Sequence, residues 1–174
     1  MPLHAYSSLI KLPKEVEDEF INEHGEWKDN AVKAFEIHKI TPEEIHNRGK
    51  SIEEVVDDLL NIIGKIKKMY IDLESELKLE SLSELPYRII MISDNAQFEH
   101  TLMYRLFKMA DKEFPFHYYT MDTNILFCLG ISPITEEDER EFSKILTNHV
   151  ALPDALQNYY WMLSIWQKYK QILP

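Results

Sequence analysis

A single cysteine, Cys128, stands in 174 residues. It rules out an internal disulfide and any zinc site built on paired cysteines. It also fits a reducing compartment, so a cytoplasmic location is expected. Glycine is scarce too, with only Gly25, Gly49, Gly64 and Gly130. None falls at Rossmann or P-loop spacing, which excludes those two phosphate cradles. No apolar run reaches membrane-spanning length. No basic region followed by an apolar stretch lies near Met1, so no secretory signal is expected. Positive charge is in deficit: 19 Lys and Arg face 30 Asp and Glu, a net charge of −11. That balance argues against a module that coats nucleic acid through a basic face. It leaves room for an acidic protein that handles phosphates with positive charge borrowed from metal ions.

Apolar residues are not lacking. At 45% of the chain, with 11% aromatics, they exclude disorder as the main state and can fill one core. No linker, repeat or low-complexity segment divides residues 1–174, so a single domain is expected. His4–Leu12 reads as a strand ending at Pro13. Lys14–Asn30 is charged and turn-like, and Asn30–Ile37 predicts one or two helical turns. Thr41-Pro42-Glu43-Glu44 is a helix start, with a capping threonine, an N1 proline and a glutamate three residues after the cap. Ser51 and Glu54 repeat that box. Behind them Ile52, Val55, Val56, Leu59, Leu60, Ile63, Ile66 and Tyr70 recur at three- and four-residue steps, predicting a long amphipathic helix.

Tyr87–Ser93 predicts a buried strand. Asp94-Asn95 caps the next helix, with Phe98, Leu102, Leu106 and Met109 inward. Phe116–Asp122 predicts another strand, and Thr123 caps a short helix stopping at Gly130. Thr135–Leu146 and the stretch from Pro153 predict two more helices, the last with Leu156, Tyr159, Leu163, Trp166 and Ile172 inward. Strands alternating with helices indicate an α/β fold, a sheet layered with helices.

Two stretches can carry chemistry. In His149-Val150-Ala151-Leu152-Pro153-Asp154-Ala155 a histidine precedes a helix and a carboxylate enters its first turn. Such a pair can take a proton from water and hold a metal that acidifies that water. Equally, it can be an exposed histidine beside an aspartate that stabilises a helix N-terminus. Ser93-Asp94-Asn95-Ala96-Gln97-Phe98-Glu99 follows an apolar strand into a helix. It can place a carboxylate at the sheet's end with Phe98 packed beneath, or simply cap the helix. Tyr118, Tyr119, Tyr159, Tyr160, Trp161 and Trp166 could offer stacking faces for bases. Their spacing predicts core packing for most, and an outward strand position for His117.

Taken in order, these segments resemble the 3′-5′ exonucleases of the ribonuclease H-like fold, in the branch that uses a histidine base. Phe35-Glu36-Ile37-His38-Lys39-Ile40-Thr41-Pro42-Glu43 is similar to that family's IHGIT-P-E segment, with Lys39 in the glycine place. Ser93 to Glu99 resembles its second motif, N-x-x-F-D. Met121-Asp122-Thr123 resembles the D-T that ends the fifth strand. His149 to Ala155 resembles the third motif, H-x-A-L-x-D-A. The resemblance implies a ribonuclease H-like sheet with helices on both faces. It implies hydrolysis of nucleic-acid phosphodiester bonds from a single-stranded 3′ end, DNA or RNA, with two Mg²⁺ or Mn²⁺ ions. His149 would be the general base and Asp154 a metal ligand. Glu99 would stand as catalytic ligand in the second-motif aspartate's place, and Asn95 and Phe98 would contact nucleic acid.

The family's first motif, D-x-E on its first strand, has no counterpart before His4–Leu12, which resembles the third strand. The expectation is a domain that lacks the first two strands and is N-terminally incomplete relative to the family. A partner chain, swapped elements or a preceding segment would then fill the gap, so a homo-oligomer or swapped dimer is expected. Asp72-Leu73-Glu74 could supply the motif only if it lay on a strand, where residues two apart share a face. The alternative reading is a catalytically inactive relative that serves as a binding or assembly module.

Overall fold

The computed structural model describes residues 6–77, 89–128, 155–156 and 158–163. They form a mixed α/β structure with a small two-stranded parallel sheet. Among them no helix is long and apolar enough to cross a membrane. The expected helix at Thr135–Leu146, the inward Trp166 and Ile172, and both His149 and Asp154 lie outside the described residues.

The N-terminal third is helical. Helix α1 (Lys14–Glu17) runs into a 3-10 turn at Asp18–Phe20. A reversal at Gly25 (φ 79°) then brings Ile21 opposite Trp27 in a single antiparallel bridge. Helix α2 (Asp29–His38) is ten residues long, longer than the one or two turns its sequence predicts, and it ends at Lys39 in the left-handed region, φ 56°. Helix α3 (Pro42–Arg48) starts on the predicted capping box. Thr41 Oγ1 accepts from the Glu44 amide at 3.1 Å, and the Glu44 carboxylate accepts from the Thr41 amide at 3.0 Å.

Among the described residues, the expected strand at His4–Leu12 is not part of the sheet. Within its described part it makes one parallel bridge, Ile10 to Lys50, with Lys11 N donating to Lys50 O at 2.8 Å and Lys50 N to Leu9 O at 2.9 Å. Lys50 is flanked by Gly49, which closes α3, and Ser51, which opens the next helix, so no partner strand exists to extend a ladder. Gly49 permits the approach: a Cβ there would meet the Ile45 carbonyl and the Lys11 backbone. Side chains complete the attachment, since Tyr6 Oη (2.8 Å) and Lys50 Nζ (2.6 Å) both donate to Asp58 Oδ2.

Helix α4 (Ile52–Leu77) has 26 residues and so spans about 39 Å. Ser51 and Glu54 cap it reciprocally, at 2.8 Å and 3.2 Å. Ser51→Ala is therefore expected to lower stability by about 1 kcal/mol in chemical denaturation. The predicted stripe holds from Ile52 to Ile63, but Tyr70 is exposed, as are Met69, Ile71 and Leu73. The helix outruns the core it packs on. Asp72-Leu73-Glu74 lies on α4, not on a strand, and on a helix residues two apart point away from each other. It cannot serve as a first motif in the strand arrangement that motif needs.

Strand β1 (Ile89–Ser93), helix α5 (Ala96–Met109) and strand β2 (Phe116–Asp122) form a βαβ unit, followed by α6 (Thr123–Cys128). The strands run parallel, with Ile89 opposite Phe116, Met91 opposite Thr120 and Ser93 opposite Asp122. Helix α5 packs on the face carrying Phe116. Residues of one strand alternate between faces, so Ile90 and Ile92, with Met121 opposite Ile92, point the other way and are exposed. The expected burial of β1 on both sides is therefore not met among the described residues.

The α5 stripe also differs from expectation. Phe98, Leu102 and Met109 are exposed, while Ala96, Phe107 and Ala110 are buried and Met103 and Leu106 half-buried. Both sets recur at helical spacing, and the helix turns Phe107 inward, towards Phe114 and Phe116. Phe107 meets Ile52, Val56 and Ala110 in the core, with Ile10, Leu59, Leu60, Phe114 and Phe116 packed around them.

Candidate functional site

Both strands end at the same level, and two helices leave from there. In open parallel sheets the carboxyl ends of the strands are where ligands bind. Here β1 ends at Ser93 beside Asp122 at the end of β2. Asp122 caps both departing helices. Its Oδ1 accepts from the Asn124 amide of α6 at 2.9 Å, and its Oδ2 accepts from the Ala96 amide that opens α5 at 3.4 Å. The predicted caps were different. Asn95 occupies the cap position of α5 without a side-chain hydrogen bond to it, and Thr123 is the first residue of α6. A carboxylate reaching both amide ends leaves neither side chain that task.

The two loops are tied together. Asn124 Nδ2 donates to the Asp94 carbonyl. The buried Ser93 Oγ donates to Asp94 Oδ1 and accepts from the Asn95 amide, each at 3.2 Å. Buried Thr123 donates to Asn158 Oδ1 at 2.8 Å, drawing the helical segment at 158–163 to the same edge. Asn158 lies four residues after Asp154 in sequence.

Of the sequence-predicted residues, Glu99 sits half-buried on the first turn of α5. Burial, and then the nearby Asp94 charge, hold its carboxyl above the ordinary glutamate range. Asn95 and Phe98 are beside it but exposed, so Phe98 does not pack beneath the carboxylate. Asp94, Asp122 and Asn124 were not among the expected site residues. Their signal is the parallel register, which sequence spacing alone does not contain.

The raised Glu99 has a thermodynamic consequence. A carboxyl titrating higher in the folded than in the unfolded state favours folding when protonated, and that benefit is lost as pH rises through its folded value. At neutral pH the charge opposes folding. Glu99→Gln is therefore expected to raise the melting temperature near pH 7, with the gain fading in acid. Thermal melts at both pH values check it.

Asp94, Glu99 and Asp122 offer oxygen donors only, the set that suits magnesium or manganese. Among the described residues no group of three or more His, Cys, Asp or Glu side chains is placed to hold a metal ion. Comparisons with protein-family models, curated proteins and solved structures found no match.

Proposed function

We propose that the chain is a 3′-5′ exonuclease-like domain of the ribonuclease H-like fold, acting on nucleic-acid 3′ ends. The observation that carries this reading is the shared strand edge, where the second-motif segment with Glu99 and the strand-ending Asp122-Thr123 meet in parallel register. Lys39 adds independent support. It occupies the glycine place of the family's segment, and its backbone has the positive φ (56°) that glycine favours. The Thr123–Asn158 bond ties the described segment at 158–163 to this edge.

In this reading Glu99 and Asp154 would hold the divalent ions and His149 would be the general base. When bound, the ions lower the pKa of the attacking water and offset charge on the phosphate. Burial, and then the Asp94 charge, hold Glu99 above its usual range, and a cation beside it would offset both. Asn95 and Phe98, exposed beside it, are available to the substrate strand. His149 takes the water proton at an imidazole nitrogen. The exposed Ile90, Ile92 and Met121 support a further layer over that sheet face, from a second copy or swapped elements; a sharply monomeric species in sedimentation counts against that part.

The test is release of mononucleotides from a 3′-labelled single strand with magnesium or manganese, and its loss in Asp154→Ala. No release from the wild type at any metal concentration sinks the enzyme claim. The second reading, an inactive relative that binds or assembles, is favoured by the helical placement of Asp72-Leu73-Glu74. Calorimetric titration separates the two readings, since two-ion binding belongs to the enzyme and none to the scaffold.

A further inference from the structure

The apolar stripe of α4 does not stop where the core does. Ile52, Val56, Leu59, Ile63, Ile66, Tyr70 and Leu73 follow one another at alternating steps of four and three residues, the heptad spacing of a coiled-coil seam. The first half of that seam is used. Ile52, Val56 and Leu59 belong to the core and Ile63 is buried. The second half is not. Ile66 is half-buried, and Tyr70 (51%) and Leu73 (48%) stand in water beside the exposed Met69. About 21 Å of helix lies beyond Ile63 at 1.5 Å per residue. The charges on this free half are sorted into blocks. Lys65, Lys67 and Lys68 come before Tyr70, and Asp72, Glu74 and Glu76 come after it.

We propose that α4 beyond Ile63 is a self-association surface, on which a second copy of this chain lays the same segment antiparallel. The two copies are related by a two-fold axis, so Tyr70 of each packs against Leu73 of the other. The order of the charges selects this occupant. A copy laid antiparallel sets each lysine block against a carboxylate block. A copy laid parallel sets lysine against lysine and carboxylate against carboxylate, and like charges across a helix pair oppose association. An anionic membrane or a nucleic-acid backbone would attract the lysine block and be repelled by the block that follows it. A heptad seam asks for a helix, and a segment whose two halves carry opposite charge is complementary to itself turned end for end. The surface rests on α4 alone, independent of the exonuclease reading, and it is separate from the sheet face of Ile90, Ile92 and Met121.

The experiment is sedimentation equilibrium of the full chain at concentrations up to about 1 mM. The wild type is expected to pass from monomer to dimer across that range. Tyr70→Ala/Leu73→Ala should weaken the dimer by roughly 10²- to 10³-fold, because each dimer loses four side chains from its seam. Both residues are exposed, so the melting temperature of the dilute monomer should stay unchanged. Lys65→Glu/Lys67→Glu/Lys68→Glu should also lose the dimer. Adding Asp72→Lys/Glu74→Lys/Glu76→Lys to it exchanges the two blocks, leaves the net charge as it was, and should restore the dimer. A wild type that stays monomeric at every concentration overturns the proposal. So does a dimer that the alanine variant retains, which assigns association to another surface. A dimer lost in the alanine variant but kept in the lysine-reversal variant overturns the antiparallel arrangement, and failure of the block exchange to restore association overturns the charge match.

Discussion

Phe107→Ala is expected to remove about 3–5 kcal/mol of stability. The residue is fully buried. Its ring meets Phe114 edge-on at 5.7 Å and Phe116 at 6.1 Å, and those two rings lie 5.3 Å apart. Phe114 in turn takes edge-on contacts from His100 and Tyr104. Removing Phe107 therefore does more than lose apolar area. It opens a cavity between α4 and α5 whose rigid aromatic walls cannot collapse into it. A domain of this size holds about 5–15 kcal/mol in all, so the variant stands near the unfolding threshold. A melting-point drop of roughly 6–20 °C follows for a chain of this length. Phe107→Leu removes less volume and should lose less. Guanidinium denaturation of the three proteins checks the order. A loss below about 1 kcal/mol in the alanine variant would place Phe107 outside the core.

Local chemistry was the legible part of this fold. Both capping boxes, Thr41–Glu44 and Ser51–Glu54, form as read, because each is a contract between residues three apart. The long stripe on α4 and the strands at Ile89–Ser93 and Phe116–Asp122 were visible for the same reason. What failed needed partners distant in sequence. His4–Leu12 has strand-forming residues, but its described part makes a single backbone bridge, to Lys50 lodged between two helices. Helix α5 carries two apolar stripes, and which one faces inward depends on the aromatic cluster formed with Phe114 and Phe116. Capping by Asp122 was illegible because the carboxylate reaches Ala96 across 26 positions. The candidate site behaves alike. Glu99 and Asp94 lie in one local motif, whereas Asn124 joins them only through the register of two parallel strands.

If the proposed exonuclease reading holds, His149→Ala is expected to slow nucleotide release by about 10²- to 10⁴-fold, the usual contribution of a positioned general base. The pH profile separates this role from a structural one. With histidine as base, the wild-type rate should rise with pH as the imidazole loses its proton and then level off. The alanine variant should lose that rise together with the rate. Metal binding distinguishes the two third-motif residues. His149→Ala should bind manganese as the wild type does, because on this mechanism the imidazole handles a proton and holds no ion. Asp154→Ala should lose both binding and rate. A His149→Ala protein with undiminished release across pH would remove the base from the mechanism. The proposed use of metal ions also bears on the net charge of −11. An acidic protein repels a phosphate chain unless cations sit where its carboxylates gather. Affinity for the 3′ end should therefore depend more steeply on divalent metal than on univalent salt, the reverse of what a basic nucleic-acid-binding face would show.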